Sequence, residues 1–106
     1  MKIDMTEKTL AAFEASAEAA SRLLTAMANA KRLVVLCNLL GGERSVGQLA
    51  AAVGLTVPAV SQHLAKMRAL DLVKTRREGQ TIYYRLASME VEEVLGTLYA
   101  LYCAPK

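Results

Sequence analysis

The 106-residue sequence is poor in the side chains that do chemistry: two cysteines, Cys37 and Cys103, and a single histidine, His63. Two isolated cysteines do not make a zinc site, and a reducing cytosol argues against a permanent structural disulfide. One histidine leaves no nucleophile–base set, and no phosphate-binding loop is present, so neither an enzyme nor a cofactor is expected. Although apolar residues make up 54% of the chain, no uninterrupted apolar run approaches the roughly 20 residues of a membrane span. The start, Met1-Lys2-Ile3-Asp4-Met5-Thr6-Glu7, mixes both charges without an apolar stretch, which points away from a signal peptide and toward the cytoplasm. Repeats, low-complexity tracts and linkers are also absent. The length suits one domain, residues 1–106, with one core.

What the chain does have is positive charge in one place. The formal net charge is only +3, yet residues 61–85 carry six basic and two acidic side chains. Residues 31–60 sum to +2, while residues 1–30 and 86–106 sum to −1 and −2. A local basic patch suits a polyanion such as DNA better than the overall charge does. The plain alternative is a solvated face rich in lysine and arginine.

Periodicity and capping signals divide the chain into short elements. Thr6 to Ala26, rich in alanine, glutamate and leucine, reads as helix. A second helix is expected from about Ala28 to Leu40, with Leu33, Leu36, Cys37 and Leu40 as its apolar stripe and Gly41-Gly42 as its stop. Ser45-Val46-Gly47-Gln48 fits a capping box for a short helix that turns Val46, Leu49, Ala50 and Val53 inward and stops at Gly54. Thr56 caps the next helix, which tolerates Pro58 in its first turn and buries Val60, Leu64, Met67 and Leu70. Two short helices joined by a glycine-containing turn form a helix-turn-helix.

From Leu72 the period becomes two. Leu72–Arg77 and Gln80–Leu86 read as strands, and only Glu78-Gly79 separates them, as in a tight hairpin. Ser88 caps a last helix with Glu90, Glu92 and Glu93 in its first turns, where the helix dipole favours them. Its apolar positions include Val91, Val94, Leu95, Leu98, Tyr99 and Tyr102, with Cys103 at its end. The expected fold is mainly α with a β-hairpin wing: a winged helix-turn-helix in the order α-α-α-α-β-β-α. So small a core leaves apolar surface on the first and last helices, and a two-fold homodimer is the simplest way to cover it.

A major groove admits one helix, and helix-turn-helix proteins place their second helix there, reading bases mainly from its N-terminal half. On that helix Thr56, Val57, Ser61, Gln62 and His63 are the candidate base readers, and Gln62 has the geometry to pair bidentately with adenine. Lys66 and Arg68 are placed to reach phosphates, which supplies affinity without sequence information. In the wing, Arg76, Arg77, Gln80 and Thr81 surround the tip and are candidates for backbone or minor-groove contact. The plain alternative for each is an exposed side chain; for His63 it weighs as much as a base contact. A dimer of this kind spaces its half-sites about one helical turn, roughly 34–36 Å, apart.

Taken in order, Ala26-Met27-Ala28-Asn29 leading into Lys31-Arg32-Leu33, Ser45-Val46-Gly47-Gln48-Leu49, Ser61-Gln62-His63-Leu64 and Thr75 to Tyr84 resemble the ArsR/SmtB family of bacterial winged-helix repressors over nearly the whole chain. The resemblance implies a homodimer through the first and last helices, and release from double-stranded operator DNA by an inducer. The family's metal sensors carry a Cys-x-Cys pair where this chain reads Ser45-Val46-Gly47-Gln48, or histidines on a last helix that here has none, so no metal ligand set is expected. Val57 departs from the glutamine that many relatives carry at its position.

Within that family the chain is most similar to the SqrR/BigR/HlyU-like subgroup, which places one cysteine on the second helix and one near the end of the last. The match to Cys37 and Cys103 implies persulfide or redox sensing: reactive sulfur species, or another oxidant, join the pair as a disulfide or polysulfide bridge and weaken DNA binding. NolR-like regulators share the fold and the Ser-Gln-His-Leu segment without this pair. A disulfide needs Cα atoms about 4.4–6.8 Å apart, and a free cysteine is more often a small buried hydrophobe. A redox-independent or metal-responsive repressor with inert cysteines is therefore the alternative, and an adaptor that reuses the winged helix is another.

Overall fold

The computed structural model describes residues 5–103 and 105; Met1–Asp4, Ala104 and Lys106 lie outside them. Its elements are α1 (Glu7–Met27), α2 (Ala30–Cys37), β1 (Arg44–Ser45), α3 (Val46–Val53), α4 (Val57–Ala69), β2 (Val73–Glu78), β3 (Thr81–Leu86) and α5 (Met89–Tyr102). Every helix begins on a residue whose side-chain oxygen takes an otherwise unpaired backbone N–H: Thr6, Asn29, Ser45, Thr56 and Ser88. At Ser45 the full capping box forms, with Gln48 N–H donating to Ser45 Oγ at 3.2 Å and Ser45 N–H to Gln48 Oε1 at 2.9 Å. Gly54 then stops α3 in the left-handed conformation, φ +69°.

Three local expectations need correction. The second helix spans Ala30–Cys37 rather than Ala28–Leu40, because Asn29 caps it and its far end tightens before the glycines. There Leu39 and Leu40 donate to Leu36 and Cys37, three residues back, at 2.9 and 3.2 Å. The hairpin turn is Gly79-Gln80 rather than Glu78-Gly79, since Glu78 pairs with Thr81; Gly79 takes φ +61° at the first turn position, where a side chain would be strained. Leu70 is 43% exposed instead of buried. It is the C-cap of α4, and after Asp71 at φ +60° it is Leu72, not Leu70, that enters the core.

The sheet has three strands rather than two, in the order β1-β3-β2 and antiparallel throughout. Strand β1 pairs Arg44 with Tyr84 and Ser45 with Tyr83, and runs straight into α3. Leu36, Leu49, Val60, Leu64, Met67, Leu72, Val91 and Leu95 fill one core shared by α2–α5 and the base of the sheet. The first helix adds only its C-terminal residues, Ala26 and Met27, with Leu23 half-buried beside them. Phe13 and Leu24 on α1, and Tyr99, Leu101 and Tyr102 on α5, stay exposed. This is the uncovered apolar surface on the first and last helices that so small a core is expected to leave.

Candidate nucleic-acid interface and thiol pair

The buried stripe of α4, Val60, Leu64 and Met67, fixes which side of the helix faces out. Pro58, Ser61, Gln62, Ala65, Lys66 and Ala69 are exposed, and so are Val57 and Arg68. His63 is half-buried at the edge of the stripe, less free than its neighbours. The Thr56 hydroxyl oxygen accepts the Ala59 N–H at 3.3 Å, so this candidate base reader is also the cap of the reading helix. Ser61 comes together with Gln80 and Thr81 of the wing and with Ser45–Gly47 around a cleft of about 310 Å³. Lys66 lies on the other flank, beside Arg22, Arg32, Leu70 and Asp71 in a groove of about 700 Å³ against α1.

Adjacent strand residues point to opposite faces, and the wing separates Arg76 from Arg77 on that principle. Arg77 shares a face with Ile82 and Tyr84, both of which line the cleft beside α4; its Nε donates to the Gly79 carbonyl at 3.1 Å. Arg76 sits on the outer face, opposite Tyr83. Its Nε donates to both Glu43 carboxylate oxygens, at 3.0 and 3.3 Å, its Nη2 donates to Glu43 as well, and its Nη1 donates to Glu78 at 2.8 Å. The guanidinium also lies 4.7 Å from the centre of the Tyr83 ring. The hydrogen bonds from Arg76 hold the Glu43 carboxyl below the usual carboxylate range.

Sequence reasoning passed over two further cations. Lys74 and Arg85 are exposed and directly opposite each other on the outer face, and neither joins a salt bridge among the described residues. Like charges so placed repel, and a polyanion relieves them. Period-two numbering from the hairpin would have paired them, but only with the turn in its observed position.

The cysteines lie on two helices that pack together, α2 and α5. Cys37 is half-buried against the core, whereas Cys103 is the exposed C-cap of α5, its N–H donating to the Tyr99 carbonyl at 2.8 Å. Both are free thiols. Burial pushes the Cys37 thiol above the ordinary range, and negative charge on Cys103 adds to the rise, so the two are within electrostatic reach. A raised pKa means that the Cys37 thiolate appears only at higher pH. Alkylation of Cys37 by iodoacetamide is therefore expected to have its pH midpoint above that of an ordinary thiol. Cys103→Ser removes the second cause and should lower that midpoint; a midpoint that stays put would separate the two sulfurs electrostatically.

Among the described residues no three His, Cys, Asp or Glu side chains gather to hold a metal, and Glu90 and Glu92 sit in the first turn of α5.

A helix of major-groove width, exposed beside an arginine-bearing hairpin, defines a winged helix-turn-helix DNA-binding protein. The chain belongs to the arsR family of bacterial regulatory proteins: the family profile described as "Bacterial regulatory protein, arsR family" matches residues 29–75, from the cap of α2 into β2. It is 52% identical over 86 residues to the nodulation protein NolR of Rhizobium meliloti, covering 81% of this chain and 70% of NolR. It is 39% identical over 104 residues to the biofilm growth-associated repressor of Agrobacterium fabrum, covering 98% of this chain and 89% of that one. To the transcriptional activator HlyU of Vibrio cholerae it is 51% identical over 81 residues, covering 76% and 75%. The structure of reduced HlyU matches with a TM-score of 0.81 and 47% identity, over 87% of this chain and 97% of that one. The chain is thus a DNA-binding transcriptional regulator, and its relatives are regulators rather than enzymes. No helix among the described residues is long and apolar enough to cross a membrane.

Proposed function

We propose that two copies of this chain form a cytoplasmic repressor that occupies double-stranded operator DNA and lets go when Cys37 and Cys103 are bridged. The observation that carries the sensing half is the packing of α2 on α5, which leaves one thiol exposed and the other half-buried within reach of its charge. The exposed apolar residues of α1 and α5 support the dimer. Thr56, Val57, Ser61, Gln62 and His63 face bases, while Lys66, Arg68, Arg77, Gln80 and Thr81 contact the backbone or minor groove. The relatives include both a repressor and an activator. Repression is the simpler mode, needing only that the operator be occupied.

Exposure selects Cys103 as the thiol that reacts first. With an organic trisulfide RSSSR, the Cys103 thiolate forms a mixed disulfide with RS and expels RSS⁻. Cys37, once deprotonated, attacks the Cys103 sulfur and expels RS⁻, so the pair loses two electrons and the trisulfide gains them. Bridging draws α2 toward α5 and alters the separation of the two reading helices, to which a one-turn operator spacing is sensitive.

Mass spectrometry and fluorescence anisotropy on a labelled operator duplex, before and after trisulfide and then reductant, test this directly. The expected result is loss of two hydrogens, the mass change of the Cys37–Cys103 disulfide, together with an affinity loss of at least about tenfold, near 1.4 kcal/mol. Reductant should restore binding, and Cys37→Ser and Cys103→Ser should not respond. The half-burial and raised pKa of Cys37 favour a second reading, a redox-independent repressor with an inert thiol pair. An affinity unchanged across redox states would establish that reading instead.

A further inference from the structure

We infer that Arg76 is a positioning residue, the clasp of a latch that holds the wing against the helix-turn-helix, and that it makes no phosphate contact. The inference rests on the wing's taking part in DNA binding. In the sheet order β1-β3-β2, Arg76 stands on β2 and Glu43 immediately precedes β1. The Arg76 side chain therefore crosses β3, lying over Tyr83, to reach a carboxylate at the far edge of the sheet. Glu78 holds the remaining side of the guanidinium. Glu43 and Glu78 occupy the donors of the Arg76 guanidinium, so a phosphate drawn to this face by Lys74 and Arg85 would have to displace Glu43 to bind Arg76.

The sheet has a weak point that the latch covers. Strand β1 pairs only two residues with β3, and its second residue, Ser45, is the cap of α3. A two-residue ladder alone is a poor hinge stop. The Glu43–Arg76 contact adds a second attachment between the wing and the entry to α3, and so sets the angle at which the wing meets DNA beside α4. An isolated exposed ion pair contributes little to stability. This one is bidentate and backed by an aromatic ring and a second carboxylate, and its effect is on orientation rather than on folding.

The sign of one substitution separates the two roles of Arg76. Glu43→Gln removes a negative charge near DNA, so plain electrostatics predicts tighter binding, whereas the latch predicts weaker binding. Dissociation constants would be measured on reduced protein across a range of salt, using a duplex that the wild-type chain selects from a randomised pool. Glu43→Gln, Arg76→Gln and Arg76→Lys are each expected to weaken binding by about two- to tenfold, and the Glu43→Gln/Arg76→Gln double should be no worse than Arg76→Gln alone, as for residues coupled in one network. The salt dependence should stay that of wild type. Tighter or unchanged binding by Glu43→Gln overturns the inference, as does a salt slope lowered by about 0.9 in Arg76→Gln, the mark of one lost phosphate contact.

Amide exchange on the free protein gives a readout that needs no DNA. The Arg44 and Tyr84 backbone amides, the pair that faces across β1 and β3, should exchange faster in Glu43→Gln and Arg76→Lys while the core amides of α4 keep their protection. Unchanged exchange at the sheet overturns the latch. Absence of wild-type binding to any duplex would instead overturn the operator reading and leave the exchange result to decide the latch.

Discussion

Leu64→Ala is expected to remove about 2–5 kcal/mol of folding stability, the range for a leucine deleted from a packed core. Leu64 is fully buried in the middle of α4, between Val60 and Met67, and its stripe is what turns the polar side of the helix outward. Alanine leaves helix propensity untouched, so the loss comes from missing contacts and the cavity. Urea unfolding at a fixed protein concentration would show a lower midpoint with the same slope; the concentration is held because dimerisation stabilises by mass action. Since α4 is one of the five helices around a single core, its loosening should lower DNA affinity as well. A loss under about 1 kcal/mol would mean that the site collapses around the deletion and that the stripe does not anchor the helix.

Gln62→Ala and Lys66→Ala should fail in different ways, although both side chains are exposed on α4. Gln62 points away from the buried stripe, midway along the exposed side, where a base edge would lie. Its loss should weaken binding to the preferred duplex by about 1–3 kcal/mol and relax discrimination at one base pair, with the salt dependence unchanged. Lys66 stands on the flank that faces α1, in company with Asp71. Its loss should weaken binding to every duplex alike and lower the salt slope by about 0.9. Equal weakening of all sequences by Gln62→Ala would remove it from the base readers. An unchanged slope in Lys66→Ala would assign that lysine to the α1 groove instead of to DNA.

Much of the chain was legible because the relevant physics is local. A serine followed three residues later by glutamine satisfies two N–H groups of the same turn, so the start of α3 could be read at Ser45 without knowing what it packs against. Thr56 and Ser88 were readable for the same reason, as was the change of period at Leu72. The helix that presents Ser61 and Gln62 followed from its apolar stripe. Where the signal was short or the competing chemistry close, reading failed: two residues of β1 have no period, and the end of α2 was blurred by leucines that continue through a tight turn.

Arg76 marks the division most clearly. By itself the sequence determined that residues 61–85 carry the positive charge and that Arg76 and Arg77 alternate across a strand, because both follow from counting and from the pleat. Only the tertiary structure decided that Arg76 meets Glu43, 33 positions earlier, and that Cys37 lies within reach of the charge on Cys103. Those pairings depend on how the strands and helices are brought alongside one another. No local preference encodes a partner that arrives through the third dimension.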